Sequence, residues 1–271
     1  MPKKIGIVGG LGWRATADYY SGLHELAGTP GGDPPELEVG IESLDISVAR
    51  ALLADGENDG WWDGFDNYHH AAFMRLERSE AEVALIACNT PHERLPEIIR
   101  GIRMKVIDMF EAVCEKAARR GARRLLILGT ETTMRSERFR RLLGGHGIEA
   151  VIPEGTAAQD LQRLIGRLER GSIAGAWPKL LDIVHASLGE PRADDFVGLH
   201  CTELPLALPQ PTRSPAFVWG GVKFLNASMA HVDAALRAAG YNGVSKSMQS
   251  LALVEPKLPR NGRAQTRPGL Y

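Results

Sequence analysis

The feature that most constrains this chain is an alternation of short apolar runs with longer stretches of helical spacing. The apolar runs fall at residues 4–8, 37–43, 83–87, 105–107, 124–128, 149–152, 196–199 and 216–219. Between them, residues 15–27, 61–79, 110–120, 136–144, 157–171 and 172–188 place apolar side chains three and four apart. Brief apolar runs bounded by turn residues read as buried strands, and the amphipathic stretches between them as connecting helices. The alternation predicts an α/β fold built on parallel sheets.

Two parts of the chain echo each other. Lys3-Lys4-Ile5-Gly6-Ile7-Val8-Gly9 parallels Arg123-Arg124-Leu125-Leu126-Ile127-Leu128-Gly129, a strand running into a glycine turn. Farther on, Leu85-Ile86-Ala87-Cys88-Asn89-Thr90 parallels Gly198-Leu199-His200-Cys201-Thr202-Glu203. Any α/β protein repeats strand-turn units, so the first pair alone says little. The second is more specific, because each strand ends in a cysteine followed within two residues by threonine. Ligands of open α/β sheets collect at the carboxyl ends of strands. If an approximate two-fold axis relates the halves, Cys88 and Cys201 face one interdomain cleft from opposite sides.

Composition narrows the partner. Lys and Arg number 32 against 33 Asp and Glu, for a net charge of -1. This gives no general attraction to nucleic acid or to an anionic membrane surface. No apolar run approaches the roughly 20 residues of a membrane span, and the start of the chain lacks the pattern of a signal peptide. The three cysteines suit a reducing compartment rather than a disulfide framework. A small-molecule partner and a cytoplasmic location are expected. Residues 241–271 form a basic, proline-containing tail, with Lys246, Lys257, Arg260, Arg263 and Arg267 against Glu255. Such a composition reads as a mobile or partner-docking extension.

A thiol acts as base or nucleophile only as thiolate, which helix N-termini and cations favour. Asn89-Thr90-Pro91 and Thr202-Glu203-Leu204-Pro205 each supply a polar turn with proline early in a helix. Two thiols at such turns are expected to have lowered pKa values, one deprotonated and one protonated at rest. Cys114, inside a helical stretch, reads as a core residue.

The motifs Gly6-Ile7-Val8-Gly9-Gly10-Leu11-Gly12 with Ala15-Thr16, Ile86-Ala87-Cys88-Asn89-Thr90-Pro91-His92, Leu128-Gly129-Thr130 through Thr133-Met134, and Cys201-Thr202-Glu203-Leu204-Pro205-Leu206 carry a family resemblance. The chain resembles the aspartate/glutamate racemase superfamily, and within it the aspartate and broad-specificity amino-acid racemases. Glutamate racemases usually have histidine after the second Cys-Thr, where this chain has Glu203. The resemblance implies two similar α/β domains, residues 1–112 with 214–240 and residues 113–213, with the active site between them. It implies catalysis without a cofactor, by Cys88 and Cys201 removing and returning the α-proton of an amino acid. It further implies substrate contacts from Gly10, Leu11, Asn89, Thr90, Thr130, Thr133, Thr202 and Glu203, and a homodimer. The aromatic-rich helix carrying Trp61, Trp62, Phe65 and Tyr68 is the candidate dimer face. Arg14 and Arg50 are candidate cations for a substrate side-chain carboxylate. Three positions depart from the family pattern: Trp13-Arg14 where proline and an apolar residue are common, His200 where glycine often precedes the cysteine, and Asn226 where aspartate is frequent. Successive strand residues face opposite sides, so His200 is expected to point away from the cleft.

Two other readings stay open. Gly10-Leu11-Gly12 after a strand also fits a dinucleotide fingerprint, with Glu42 or Asp45 as ribose ligand, and would make the chain an NAD(P)-dependent oxidoreductase. A catalytically silent amino-acid-binding protein would keep the same cleft. His69-His70, His92 and His200 lack the spacing of a compact zinc motif, so no metal is expected.

Overall fold

A computed structural model describes residues 2–27, 37–54, 61–190, 192–209 and 212–241. The expected tail, from residue 242 on, lies outside the described residues. The first half runs β1 (Ile5–Gly9), α1 (Trp13–Leu26), β2 (Val39–Ser43), α2 (Ile46–Ala54), α3 (Trp61–Arg78), β3 (Val83–Ile86), α4 (Leu95–Ile98), β4 (Lys105–Val106) and α5 (Met109–Arg119). The second runs β5 (Arg124–Gly129), α6 (Glu131–Met134), α7 (Glu137–Gly145), β6 (Glu149–Val151), α8 (Gly155–Glu169), α9 (Ala176–Leu188), β7 (Asp195–His200), β8 (Ala216–Trp219), β9 (Val222–Asn226) and α10 (Ala227–Ala238).

The strands form two sheets. The first has the order β2-β1-β3-β4 and is parallel throughout. The second has the order β6-β5-β7-β9-β8 and is parallel except for β8 at its edge. The order second, first, third strand is thus repeated, with β1 matched by β5 and β3 by β7, and the fourth place is held by β4 in the first sheet and by β9 in the second. The matched strands are those of the sequence echo.

Both faces of the first sheet are covered, as parallel sheets require. Ile5, Ile7, Val83 and Leu85 point to one face, where they join a core continuous with that of the second sheet. Val8, Ala84 and Ile86 point to the other, against Phe65, Phe73 and Leu76 of α3. Helix α5 carries the chain from one sheet to the other, capped at its start by Asp108, whose carboxylate accepts from the Phe110 N–H.

The segment 214–240, expected with the first domain, is divided. Its strands extend the second sheet: Gly220 and Gly221 turn at φ 57° and 74°, and β9 then inserts between β7 and β8. A two-residue turn with both φ values positive matches the twist of a hairpin and suits consecutive glycines. Helix α10 then crosses back to pack on α1, α5 and β3. Asn226 caps it, its Oδ1 accepting from the Met229 N–H at 3.2 Å, which gives this departure from the family pattern a structural role.

Candidate active site

The site lies where the carboxyl ends of the two sheets converge. After β1 the chain turns sharply at Gly10, whose φ is 83°. A Cβ there would sit 2.1 Å from the Leu44 carbonyl oxygen, so only glycine fits. The Gly10 N–H donates to Thr16 Oγ1 at 2.8 Å. That amide is therefore engaged within the protein, whereas a dinucleotide loop directs such donors at phosphate. The two ribose-ligand candidates are engaged as well. Glu42 is 2.7 Å from Arg75 Nε, and Asp45 accepts from the Ser47 N–H and hydroxyl, both at 2.7 Å. The loop is built as a wall of the cleft, and the dinucleotide reading loses its anchors.

Cys88 follows β3 and leads into a short 3-10 helix, Thr90–Arg94, with Pro91 near its start. Cys201 directly follows β7. Its thiol donates to Glu203 Oε2 at 3.1 Å, and the Thr202 hydroxyl donates to the same oxygen at 2.9 Å. Both cysteines line one cavity of about 160 Å³, together with Leu11, Arg50, Asn89, Thr90, Thr130, Thr202 and Glu203. Gly10 and Arg14 line an adjoining cavity of about 200 Å³, which shares Leu11, Arg50 and Glu203 with the first.

The polar lining spans both halves. Thr90 Oγ1 and Thr130 Oγ1 are 3.5 Å apart, and Thr130 Oγ1 lies 3.2 Å from Thr133 Oγ1. Thr133 is buried behind Thr130 and does not line the cavity, which it meets only through that hydroxyl. Asn89 Oδ1 is buried and has no hydrogen-bond partner among the described residues. An unsatisfied acceptor bordering a cavity costs stability unless a ligand supplies a donor.

Sequence reasoning misses several parts of the wall. Ile46, Ala49 and Leu53 come from α2, which the apolar pattern does not announce, and Phe65 from α3. Phe65 is 1% exposed, an interior position rather than part of an outer aromatic face. Glu169, the last residue of α8, closes the mouth, where its carboxylate is 3.8 Å from Arg50 and its carbonyl accepts from Arg14 at 3.4 Å. Arg14 also lies over the Trp13 ring, 4.6 Å from its centroid. His200 borders the cavity, but its ring folds back over Gly198 against Phe139, with ring centroids 4.8 Å apart. A Cβ on Gly198 would come within 2.5 Å of His200 Nε2. Burial holds the imidazole at a pKa of about 3, hence neutral.

The expectation of lowered thiol pKa values is corrected. Burial pushes the Cys88 thiol up to about 12; the Thr90 and Asn89 amides oppose this, and the charges of Glu203 and Glu169 add to it. Burial and the Glu203 carboxylate push Cys201 well above the ordinary thiol range. Desolvation outweighs the turn dipoles here. The sign gives a first prediction: a raised pKa leaves Cys88 protonated at neutrality, with a thiolate fraction growing tenfold per pH unit. Iodoacetamide labelling of Cys88 in the free protein should therefore rise about tenfold per unit from roughly pH 7 to 9, with no plateau. Peptide mass spectrometry reads this, and a plateau below about pH 8 would refute it.

Among the described residues there is no cluster of three or more side chains able to hold a metal, and no helix long and apolar enough to cross a membrane.

Comparison with known proteins places the chain in a family and a fold. The profile of the family described as Asp/Glu/Hydantoin racemase matches residues 8–235. An aspartate racemase homologue from Pyrococcus horikoshii OT3 is similar in structure, with 28% identity, a TM-score of 0.69, and coverage of 88% of this chain and 99% of that one. Picrophilus torridus aspartate racemase superposes with a TM-score of 0.70 at 20% identity, over 92% of this chain and 100% of that one. Glutamate racemase from Campylobacter jejuni shares the fold at 18% identity and a TM-score of 0.55, over 92% of this chain and 96% of its own.

Proposed function

Because this chain belongs to the Asp/Glu/hydantoin racemase family, and is thus an isomerase of the racemase class, we propose that it inverts the α-carbon of an amino acid, aspartate first, with Cys88 and Cys201 on opposite faces. The observation that carries this reading is the arrival of two thiols, from matching strands of two sheets, at one cavity.

The residues divide the work by chemistry. The unpartnered Asn89 Oδ1 accepts from the substrate ammonium. The hydroxyls of Thr90 and Thr130 donate to the α-carboxylate, with Thr133 holding Thr130 in place, while the Thr202 hydroxyl stays on Glu203 and steadies that carboxylate beside the substrate. When one thiolate removes the α-proton, the electron pair of the broken C–H bond moves into the carboxylate. Those same donors meet the growing charge, which is where preorganised hydrogen bonds lower a barrier most. The opposite thiol then delivers its proton to the other face. A thiol of raised pKa suits the task, because its thiolate, once formed, is a stronger base toward a weakly acidic C–H group. Gly10 and Leu11 form the wall from the first sheet, and Arg14 and Arg50 at the mouth offer cations to a side-chain carboxylate.

Incubation with each enantiomer of aspartate, glutamate and alanine in deuterated buffer, followed by chiral separation and mass spectrometry, tests the reading. Inverted, α-deuterated aspartate is expected, and binding without exchange for every amino acid would refute it. For specificity, Arg14→Ala with Arg50→Ala should cut the preference for aspartate over alanine by about tenfold or more, the worth of a partly exposed charge-assisted contact. Unchanged discrimination would mean that neither arginine reads the side chain.

A further inference from the structure

The two thiols are unequal, and the inequality rests on one side chain. The Cys201 thiol is hydrogen-bonded to a carboxylate, and among the described residues the Cys88 thiol is not. Oε2 of Glu203 accepts from the Cys201 thiol at 3.1 Å and from the Thr202 hydroxyl at 2.9 Å. Its Oε1 faces the loop after β1, where a Cβ on Gly12 would approach it to 3.3 Å. Among the described residues, the other ionisable groups lining the two cavities are Cys88 across from it, Glu169 at the end of α8, Arg50 of α2, Arg14 of α1 and His200 of β7, whose buried ring is neutral. A thiolate on Cys201 would stand about one hydrogen-bond length from this carboxylate, and two like charges so close in a buried site do not both stay ionised.

Resting on the two-thiol reading, we propose that Glu203 is the proton-holding partner of Cys201, taking the thiol proton when Cys201 acts as base and returning it when Cys201 acts as acid. The steps balance. At rest both cysteines are thiols and Glu203 is a carboxylate. For the enantiomer whose α-hydrogen faces Cys201, the S–H proton passes to Glu203 Oε2, and the freed sulfur takes the α-proton. The C–H electron pair moves into the substrate carboxylate. Cys88 then gives its proton to the opposite face of the α-carbon and is left as thiolate, with Glu203 protonated. The other enantiomer runs the sequence backwards: the Cys88 thiolate takes the α-proton, Cys201 delivers its own to the opposite face, and Glu203 restores it. The site carries the same single negative charge at both ends, so a proton is exchanged between Cys88 and Glu203 rather than released to solvent.

This has a consequence for pH that a purely substrate-holding or structural glutamate lacks. The two entry forms, Cys88 thiol with Glu203 carboxylate and Cys88 thiolate with protonated Glu203, hold the same number of protons, so kcat/KM should be flat from about pH 6.5 to 8 in both directions. Glu203→Gln keeps the shape but cannot take the proton. In that variant a free thiolate is required, and kcat/KM should rise about tenfold per pH unit over the same window. Glu203→Asp, which retains a carboxylate, should keep the flat profile at a lower rate.

The decisive experiment places Glu203→Gln in each single-cysteine background and follows solvent deuterium entering the α-position. In Cys88→Ala the exchange comes from Cys201 alone, and adding Glu203→Gln should lower it by about 100-fold or more. In Cys201→Ala, where Cys88 works alone, the same addition should cost less than about fivefold. Equal losses in both backgrounds would make Glu203 a substrate-holding residue and overturn the proposal. Faster exchange in Cys88→Ala/Glu203→Gln would overturn it as well, since the carboxylate would then only suppress the thiolate. If either single-cysteine variant still racemises at the parent rate before Glu203 is changed, the two-thiol reading fails and takes the proposal with it.

Discussion

Replacing Cys88 or Cys201 with alanine should abolish net racemisation in both directions, by about 1,000-fold or more, because each direction needs one thiol as base and the other as acid. The two variants should nevertheless differ. Each retains one sulfur against one face of the α-carbon, and that sulfur can still remove a proton and return a solvent deuteron to the same side. Cys88→Ala and Cys201→Ala should therefore exchange the α-hydrogen of opposite enantiomers without inverting them. Alanine is the cleaner substitution, since a serine hydroxyl could still donate. Cys114, buried on α5 away from the cavity lining, provides the contrast. Cys114→Ala should alter stability through lost packing and leave the enantiomer preference untouched. If either cavity cysteine can be removed at near parental activity, the symmetric assignment is wrong.

The second large effect concerns the joint that holds the Cys88 turn against the second sheet. Asp108, just before α5, pairs with Arg138 of α7, and its Oδ1 lies 3.3 Å from His92 Nδ1. Arg138 also donates to the His92 carbonyl at 3.1 Å, and His92 belongs to the 3-10 helix that follows Cys88. Ser136, which caps α7, donates to Glu93 of that same helix. Burial pushes the Asp108 carboxyl up, yet His92 and Arg138 hold it well below the usual carboxylate range. A depressed pKa contributes stability at all pH values above the unfolded carboxyl pKa, near 4, and this is lost as pH falls through the folded value. Asp108→Ala removes the carboxylate and leaves the Arg138 guanidinium, 17% exposed, without its main partner. Such losses typically cost about 3–5 kcal/mol, with the lost helix cap included in the same substitution. Urea denaturation at pH 7 should show this fall. Below about pH 3 the difference between parent and variant should shrink. A change under about 1 kcal/mol at neutral pH would show that the joint is incidental.

How much of this was legible in the sequence depends on how each element is buried. The strands β1, β3, β5 and β7 stand out because parallel strands covered on both faces must be apolar at nearly every position. The cysteine turns stand out because strand, cysteine and threonine recur in the same order. Helix α10 gives no such signal. Nine of its residues, from Ala227 to Leu236, are buried, including the polar Ser228, His231 and Asp233, so no single apolar stripe emerges from Ala-Ser-Met-Ala-His-Val-Asp-Ala. Strand β9, Val222–Asn226, is hidden by its lysine and by a glycine turn whose return direction only pairing decides. Of the candidate site, every residue except Thr133 borders one of the two joined cavities. The chief error was the acidity of the thiols. A turn motif reports the dipoles beside a sulfur, whereas desolvation depends on what the rest of the fold places over it. Glu169 was illegible for a related reason. Nothing near the end of a surface helix indicates that its last turn will meet the mouth of a cleft built by other elements.

The central claim, two bases on opposite faces, is tested most directly by where deuterium appears early in the reaction of the unmodified protein. L-aspartate incubated in deuterated buffer and stopped at about a tenth of full conversion should yield D-aspartate carrying deuterium at the α-position, with the remaining L-aspartate still protiated. Starting from D-aspartate should give the mirror result. Each product molecule takes its new hydrogen from the thiol opposite the one that removed the old. Product that retains the original hydrogen, or deuterium entering the unreacted enantiomer as fast as the product, would mean that a single group serves both faces, and would contradict the account.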